Sequence, residues 1–250
     1  MTSLWLSIQP FARTAPWVVL GAAVVVFPLL LFVTAPYGRH FRPGWGPALG
    51  SRQGWIAMEW PSVFLFGLVW IANPAFGTPM VLALGTLWLV HYLQRTFVFS
   101  LLLRGGGRRQ AVVTVVLANV FNVLNAVGNA AALAERPFDL PFLAGVVLFA
   151  GGLALNVHSD HLLRSLRAPG ESGYRIPFGG GFTWVSAPNY LGEIVEWVGF
   201  ALAAQTLAAW AFAAFTFANL APRALANHRW YRERFPDYPG KRRALVPFLW

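Results

Sequence analysis

The sequence has no cysteine and few charged residues. Only 11% of its 250 residues are Asp, Glu, Lys or Arg, against roughly 25% in a typical soluble domain. The missing cysteines exclude disulfides, iron–sulfur clusters and catalysis by a thiolate. A hydrophobic content of 57% and long uncharged runs favour an integral membrane protein.

The charge that is present is mostly positive, with a formal net charge of +10. Such an excess can indicate nucleic-acid binding, but no nucleic-acid-binding motif accompanies it. Basic residues also collect in the cytoplasmic loops of membrane proteins, where they pair with anionic lipid. We therefore expect membrane lipid, and no nucleic acid, as the partner of this charge.

Seven apolar segments are long enough, or nearly so, to cross the hydrocarbon core as helices. They cover residues 15–34, 55–72, 78–101, 111–133, 141–157, 188–204 and 205–221. Only Gln205 and Thr206 interrupt the last two segments, and one long helix is the alternative there. The combined run is too long for a single crossing, so we predict an all-α integral membrane protein with seven transmembrane helices, forming one domain over 1–250.

Arginines alternate between the loops that join these segments. They follow the first, third and fifth segments, as Arg39, Arg42, Arg52, Arg104, Arg108, Arg109, Arg164, Arg167 and Arg175. The tail after residue 221 carries further basic residues, whereas the N-terminus and the remaining loops carry at most one each. By the positive-inside rule, the C-terminus lies in the cytoplasm and the N-terminus lies outside.

Polar residues inside the predicted spans fall near one depth. Charged residues within spans are expensive and are functional candidates by default. The direction of each span places the following groups near its cytoplasmic end: Glu59, Tyr92, Arg95, Asn156, Asn189 and Glu193. A polar cavity open to the cytoplasm explains this arrangement, and the alternative is a set of structural ion pairs or a solvated helix face.

The stretch 156–197 concentrates these polar groups on two helix faces. At 3.6 residues per turn, Asn156, Asp160, Arg164 and Arg167 fall within an arc of about 80°. Asn189, Glu193 and Glu196 are spaced i, i+4 and i+7. Asn and Asp can hydrogen-bond a ribose or an amide, and Arg can pair with phosphate. This mixture suits a phosphorylated nucleotide cofactor.

Familiar nucleotide and metal motifs are missing from the sequence. The glycine clusters FGGGF (178–182) and GGGRR (105–109) fit neither G-x-G-x-x-G nor a P-loop, and we interpret both as turns. No H-E-x-x-H or carboxylate-rich pattern occurs, so we expect no metal. The histidines are scattered, and we interpret them as structural.

Five longer stretches of the chain carry distinctive combinations of residues. They are NVHSDHLLRSLRAPGESGYRIPFGGGFTWVSAPNYLGEIVEWVGFAL, MEWPS (58–62), HYLQRTFVFSLL (91–102), PYGRH (36–40) and the tail HRWYRERFPDYPGKRRALVPF. Together they resemble the steroid 5α-reductase family. The resemblance implies a seven-span fold that uses NADPH to reduce the C4–C5 double bond of 3-oxo-Δ4 steroids. It also implies that the cofactor binds within the helix bundle, so no Rossmann unit is expected.

Matching positions carry the family's roles onto this chain. Glu59 and Tyr92 match the pair that contacts the steroid 3-keto oxygen. Cofactor-pocket positions are matched by Asn156, Asp160, Arg167, Tyr174, Arg175, Asn189, Glu193 and Tyr231, and similarity extends to Arg95, Arg164, Trp55, Tyr37 and His228. The resemblance implies a substrate side over roughly 15–133 and a cofactor-binding part over roughly 141–250. The loop LLLRGGGRRQ and Asn227 depart from the family pattern.

Other readings of the chain stay open at this point. They are an S-adenosylmethionine-dependent membrane methyltransferase, a sterol C14 reductase, and a transporter or lipid-binding protein. MEWPS and HYLQRTF favour the 5α-reductase resemblance over the methyltransferase and the sterol C14 reductase, and the nearly uncharged outer side of the spans argues against a transporter. We expect a steroid or related enone lipid as substrate and a monomeric chain. The expected membrane is the bacterial inner membrane, or the endoplasmic reticulum if the chain is eukaryotic.

Overall fold

The protein is described by a computed structural model covering residues 2–36, 38–41, 44–104, 109–168, 171 and 173–250, without the side chains of residues 2–4. Seven long helices make up most of this part of the chain. They are α1 (Thr2–Phe32), α2 (Ser51–Ala72), α3 (Pro79–Leu93), α4 (Val112–Ala132), α5 (Leu140–Ser165), α6 (Pro188–Ala204) and α7 (Leu207–Arg234). The α3 helix continues as a π-helical segment, Gln94–Phe99, and one last turn, Ser100–Leu102. The all-α prediction is confirmed.

The break between α6 and α7 lies at Gln205 and Thr206, as the sequence predicted. Gln205 adopts the left-handed region with φ of 53°, and this conformation ends α6. Thr206 then accepts a hydrogen bond from the Ala209 N–H at 3.2 Å and caps α7. Two helices therefore replace the single long helix that was the alternative.

Four helices extend beyond the predicted spans, α2 by only four residues because it begins at Ser51. The α1 helix begins at Thr2 instead of residue 15, α5 ends at Ser165 instead of 157, and α7 reaches Arg234 instead of 221. Apolar runs mark the part of a helix that suits hydrocarbon, and a helix continues past that part wherever polar residues find water or partners. The predicted boundaries were wrong at these ends for that reason.

Four of the helices are long and apolar enough to cross a membrane, by length and composition. Their candidate spans are Trp5–Phe32, Ser51–Ala72, Val112–Ala132 and Leu140–Ser165. Large apolar side chains, such as those of Val24, Leu117 and Val147, point away from the bundle and are exposed. A multi-pass membrane protein accounts for both observations, because lipid solvates an apolar exterior.

Helices α5 and α6 approach each other through glycine. Gly152 of α5 lies against the backbone of Gly192 and Glu196. Gly145, about two turns earlier on α5, lies against Gly199 and Ala203. Small residues let backbones approach closely in membrane helix pairs. This contact brings the polar ends of α5 and α6 side by side.

A short antiparallel ribbon is the exception to the helical fold. Strand β1 (Ala48–Gly50) pairs with β2 (Arg109–Ala111), with Leu49 opposite Gln110. The strands lead directly into α2 and α4, so the ribbon holds the beginnings of these two helices together.

Candidate active site

Arg95 lies at the centre of a buried polar group, which we call the Arg95 cluster (Arg95, Asn156, Asp160, Asn189 and Glu193). Its Nη1 donates to Asp160 Oδ2 at 3.1 Å, and its Nη2 lies 3.8 Å from Glu193 Oε2. Asn189 Nδ2 donates to Asp160 Oδ1 at 3.0 Å. Asn156 Nδ2 donates to the Asn189 carbonyl at 3.0 Å and lies 3.4 Å from Glu193 Oε2. The structure thus joins five of the predicted polar residues from three helical segments.

Aromatic rings cover the guanidinium of Arg95. Its Cζ lies 4.5 Å from the ring centre of Trp55 and 4.4 Å from that of Phe99. Arg95 is only 9% exposed, so these cation–π contacts act in a largely desolvated site. Trp55, predicted from the resemblance, therefore packs directly against the Arg95 cluster.

Glu59 and Tyr92 approach the Arg95 cluster from α2 and α3. The Glu59 carboxylate interacts electrostatically with Arg95, and its Oε2 lies 3.4 Å from Asn122 Nδ2. Tyr92 is 3% exposed and packs against Trp88, with 4.8 Å between ring centres. Its hydroxyl is close enough to Glu59 to interact electrostatically with that carboxylate. A hydroxyl and a carboxyl on neighbouring helices therefore lie within electrostatic range of each other.

A buried His–Glu pair lies next to Tyr92, and the sequence interpretation missed it. His91 Nδ1 and Glu196 Oε1 are 2.8 Å apart, and Glu196 is 0% exposed. The His91 ring also contacts the rings of Tyr92 and Trp197, with centres 4.9 and 4.6 Å away. The available signal was the i, i+4 spacing of His91 and Arg95, which puts both residues on the face of α3 that meets α6.

Arg39 lies in an aromatic group that we call the aromatic rim (Arg39, Tyr174, Trp230 and Tyr231). Its Cζ is 4.4 to 5.3 Å from the three ring centres, and its Nη2 donates to the Tyr231 hydroxyl at 3.2 Å. Its buried Nη1 has no hydrogen-bond partner among the described residues. Arg39 was not predicted as a site residue, although it stands within the PYGRH motif.

The other predicted arginines lie outside the Arg95 cluster. Arg164 contacts His161 at 3.0 Å on the exposed end of α5. Arg167 was predicted to continue the helix face of Asp160, and this was wrong because α5 ends at Ser165. Arg167 instead donates from Nε to the Gly173 carbonyl at 2.8 Å, with its Cζ 4.8 Å from the Tyr174 ring centre.

Arg175 forms an exposed ion pair in the loop after α5. Its Nη2 lies 2.6 Å from Glu171 Oε1, and Glu171 also accepts the Ala168 N–H at 3.0 Å. These contacts lower the pKa of Glu171, the backbone hydrogen bond first and the Arg175 charge with it.

His228 occupies a different environment from the Arg95 cluster. Its Nδ1 lies 2.6 Å from Ser186 Oγ, which also lies 2.6 Å from the Tyr238 hydroxyl. Burial and the nearby charge of Arg232 lower the pKa of His228. The predicted site residue Tyr37 lies outside the described residues.

The site combines features that suit a polar, anionic ligand beside Glu59 and Tyr92. The Arg95 cluster offers amides and carboxylates at the bundle end of α5 and α6, and Asn156 Oδ1 is buried without a partner among the described residues. The aromatic rim adds an unpaired guanidinium nitrogen and flat rings. A ligand or an ordered water is one explanation for a buried polar atom without a partner. These residues therefore fit a nucleotide cofactor.

Comparison with known proteins gives a consistent result. The family described as 3-oxo-5-alpha-steroid 4-dehydrogenase matches residues 108–250. The chain is 41% identical to 3-oxo-5-alpha-steroid 4-dehydrogenase 1 of Bos taurus, covering 90% of this chain and 92% of the relative. It is 42% identical to 3-oxo-5-alpha-steroid 4-dehydrogenase 2 of Homo sapiens, covering 95% of each.

A plant relative extends the similarity. The chain is 38% identical to the steroid 5-alpha-reductase DET2 of Gossypium hirsutum, covering 88% of this chain and 90% of the relative. Identity of this level over nearly the whole length, together with the family match, confirms the predicted resemblance. The chain belongs to the 3-oxo-5-alpha-steroid 4-dehydrogenase family, the steroid 5α-reductases.

Proposed function

We propose that this protein reduces the C4–C5 double bond of a 3-oxo-Δ4 steroid, or a related enone lipid, to the 5α product with NADPH. The observation that carries the proposal is the approach of Glu59 and Tyr92 to the Arg95 cluster, within a chain related over nearly its full length to proteins named 3-oxo-5-alpha-steroid 4-dehydrogenase. The activity is that of a membrane oxidoreductase acting on a carbon–carbon double bond.

The chemistry determines what the chain must supply at the 3-keto oxygen. NADPH supplies a hydride when bound, and the hydride adds to C5. The C4–C5 π electrons then shift toward C3, and negative charge develops on the C3 oxygen. Catalysis requires donors that bind this oxygen more strongly in the transition state than in the ground state. The resulting enolate takes a proton at C4, from solvent or through the Glu59–Tyr92 pair.

Tyr92 is the donor that we assign to the 3-keto oxygen. Tyr92 is buried on α3, where its ring packs against those of Trp88 and His91. Two roles are open to Glu59: protonated, it donates a second hydrogen bond to the oxygen, and ionised, it orients the Tyr92 hydroxyl. In both cases the fixed charge of Arg95 lies near the carboxyl group.

The cofactor-binding residues divide into two groups in this proposal. Asn156, Asp160, Asn189 and Glu193 would hold the ribose and amide groups, because they carry buried donors and acceptors at the ends of α5 and α6. The phosphates would be held by Arg164, Arg167 and Arg175, and flat groups by Tyr174 and Tyr231. His228 and Arg95 support these groups. Arg39, with its unpaired buried Nη1, is added here to the phosphate-facing set.

The membrane arrangement is part of the same proposal. All seven helices cross the bilayer, the N-terminus lies outside, and the C-terminus lies in the cytoplasm. The arginine-rich loops and the Arg95 cluster then share the side from which a cytoplasmic cofactor enters. We place the monomeric protein in the bacterial inner membrane, or in the endoplasmic reticulum of a eukaryote.

The test compares Tyr92→Phe and Glu59→Gln in single-turnover oxidation of bound NADPH with testosterone or progesterone. Removing one oxyanion donor typically lowers the rate about a hundredfold to a thousandfold. We expect both variants to slow steroid reduction severely while cofactor binding is kept. Glu135→Gln, which changes an exposed carboxyl in the loop after α4, is the matched control. Near-normal turnover by Tyr92→Phe would refute the assignment.

The rival functions predict a different bound nucleotide. Mass spectrometry of the protein purified in detergent distinguishes them. NADP(H) supports the reductase. S-adenosylmethionine supports a membrane methyltransferase, and the absence of any nucleotide supports a transporter or lipid-binding protein.

A further inference from the structure

The α2 helix carries a proline two residues after Glu59. Proline has no N–H, so Pro61 cannot donate to the carbonyl four residues earlier, that of Ala57. Its ring also crowds the preceding turn, which weakens the neighbouring hydrogen bonds of the helix. Because lipid offers no hydrogen-bond donors, a carbonyl left open within a membrane helix must be satisfied by another part of the protein.

Two asparagines of α4 satisfy this turn. Asn119 Nδ2 donates to the Ala57 carbonyl at 2.7 Å, and Asn122 Nδ2 donates to the Met58 carbonyl at 2.7 Å. The asparagines are spaced i, i+3 and therefore share a face of α4. Their two acceptors immediately precede Glu59 in sequence.

The second asparagine also reaches the carboxyl group itself. Asn122 Nδ2 lies 3.4 Å from Glu59 Oε2, and Asn122 is only 6% exposed. One amide thus contacts both the backbone turn that carries Glu59 and the side chain that Glu59 presents. A change in this contact alters where the carboxyl group points.

We propose that Asn119 and Asn122 are positioning residues for Glu59. They donate hydrogen bonds to the Ala57 and Met58 carbonyls in the turn before Pro61, and so hold this turn against α4. This contact fixes the direction of the Glu59 carboxyl group. The inference rests on the proposed function of Glu59, and it adds residues that touch neither the steroid nor the cofactor.

Stability alone gives a poor reason for this arrangement. Proline inside a helix costs roughly 3 kcal/mol, whereas alanine at position 61 would restore the internal hydrogen bond to Ala57 without an asparagine. The pairing of Pro61 with Asn119 therefore keeps the turn before Glu59 bonded to α4. Its consequence lies at Glu59, between the two asparagine-bound carbonyls and the proline.

The experiment separates positioning from folding with three variants, Asn119→Leu, Pro61→Ala and the double variant. Leucine matches asparagine in size but cannot donate. We expect Asn119→Leu to lower the heat-denaturation midpoint, since it leaves a buried carbonyl unpaired. We also expect it to lower kcat for testosterone about tenfold to a hundredfold, since a misplaced Glu59 carboxyl group stabilises the transition state less well. The Kd for NADPH should stay unchanged. Asn219→Leu, on α7, is the matched control.

The double variant decides the question. Alanine at position 61 supplies the N–H that Asn119 no longer supplies, so the denaturation midpoint should recover. The hydrogen bond from Asn119 of α4 to this turn should not recover, so kcat should stay low. Recovery of kcat together with the midpoint would overturn the proposal, because it would make Asn119 purely structural. If Asn119→Leu alone does not accumulate, the double variant still carries this test.

A parallel measurement keeps the two proposals apart. If Glu59→Gln turns over normally, the catalytic assignment of Glu59 fails, whatever the asparagine variants do. If Glu59→Gln is slow and Asn119→Leu keeps its normal kcat, only the positioning proposal fails. Asn122→Leu should lower kcat at least as much as Asn119→Leu, because it also loses the contact with Glu59.

Discussion

The glycine contact between α5 and α6 makes a sharp prediction about Gly152→Ala. A Cβ at this position would overlap the backbone of Glu196 and Gly192, and it would lie 2.7 Å from the Glu196 Cα. Carbon atoms in favourable contact are about 3.5–4.0 Å apart, so the added methyl group is about 1 Å too close. Backbone atoms cannot rotate away as a side chain can, and the two helices must therefore separate.

A separation of about 1 Å is enough to break the polar contacts nearby. Asn156, one turn after Gly152, donates to Asn189 and Glu193 at 3.0 and 3.4 Å, and hydrogen bonds weaken steeply beyond about 3.2–3.5 Å. Overpacking alone costs about 1–3 kcal/mol. At roughly 2–4 °C per kcal/mol, the denaturation midpoint should fall by about 2–12 °C. The Kd for NADPH should rise about tenfold, as expected for one or two lost hydrogen bonds.

The neighbouring Gly151 provides the control, because a Cβ there would meet nothing within 4 Å among the described residues. Gly151→Ala has the same chemical change and should keep the midpoint and the NADPH affinity. The assay is tryptophan fluorescence during heating in detergent at a fixed scan rate, followed by NADPH titration. Equal behaviour of the two alanine variants would refute the close contact of α5 and α6 as the structural basis of the cofactor site.

Three further predictions test separate parts of the molecule. His91→Leu leaves the buried Glu196 carboxyl without its partner at 2.8 Å, which should lower the free energy of unfolding by about 3–5 kcal/mol. The double variant His91→Leu, Glu196→Leu should recover most of the denaturation midpoint, and no recovery would argue against a coupled pair. Asp139 caps α5 by accepting the Phe142 N–H, and this bond lowers the pKa of its carboxyl group below the ordinary 3.8. A lowered folded-state pKa gives stability that is present above pH 3.8 and is lost as the pH falls through the folded value. Below pH 3.8 the unmodified protein should lose this contribution, whereas Asp139→Asn has none to lose. The denaturation midpoint of the variant minus that of the unmodified protein should therefore increase as the pH falls, and a constant difference would contradict this. A cytoplasmic reporter fused after Trp250 should be active, whereas activity of a periplasmic reporter there would reverse the proposed topology.

The sequence predicted the helical class and the main break correctly because these depend on local properties. Uncharged runs determine which segments suit hydrocarbon, and the polar pair at Gln205 and Thr206 supplied both a helix end and a helix cap. The family was also predicted correctly, because motifs such as MEWPS and HYLQRTF are unusual combinations of residues. The α5 boundary and the placement of Arg167 were wrong, because hydropathy does not show where a helix continues beyond the membrane.

By itself, the sequence determined an all-α protein and its family, and it predicted that a set of polar residues shares one depth, since charge within an apolar run is visible without coordinates. Only the tertiary structure decided how these residues pair. It paired Arg95, which lies in the π-helical segment, with Asp160 and Glu193. It also paired His91 with Glu196, and Asn119 with the Ala57 carbonyl that Pro61 leaves open. These partners lie far apart in the chain, and their contacts depend on how closely the helices approach and rotate. Backbone packing, such as the glycine contact at Gly152, determines that approach.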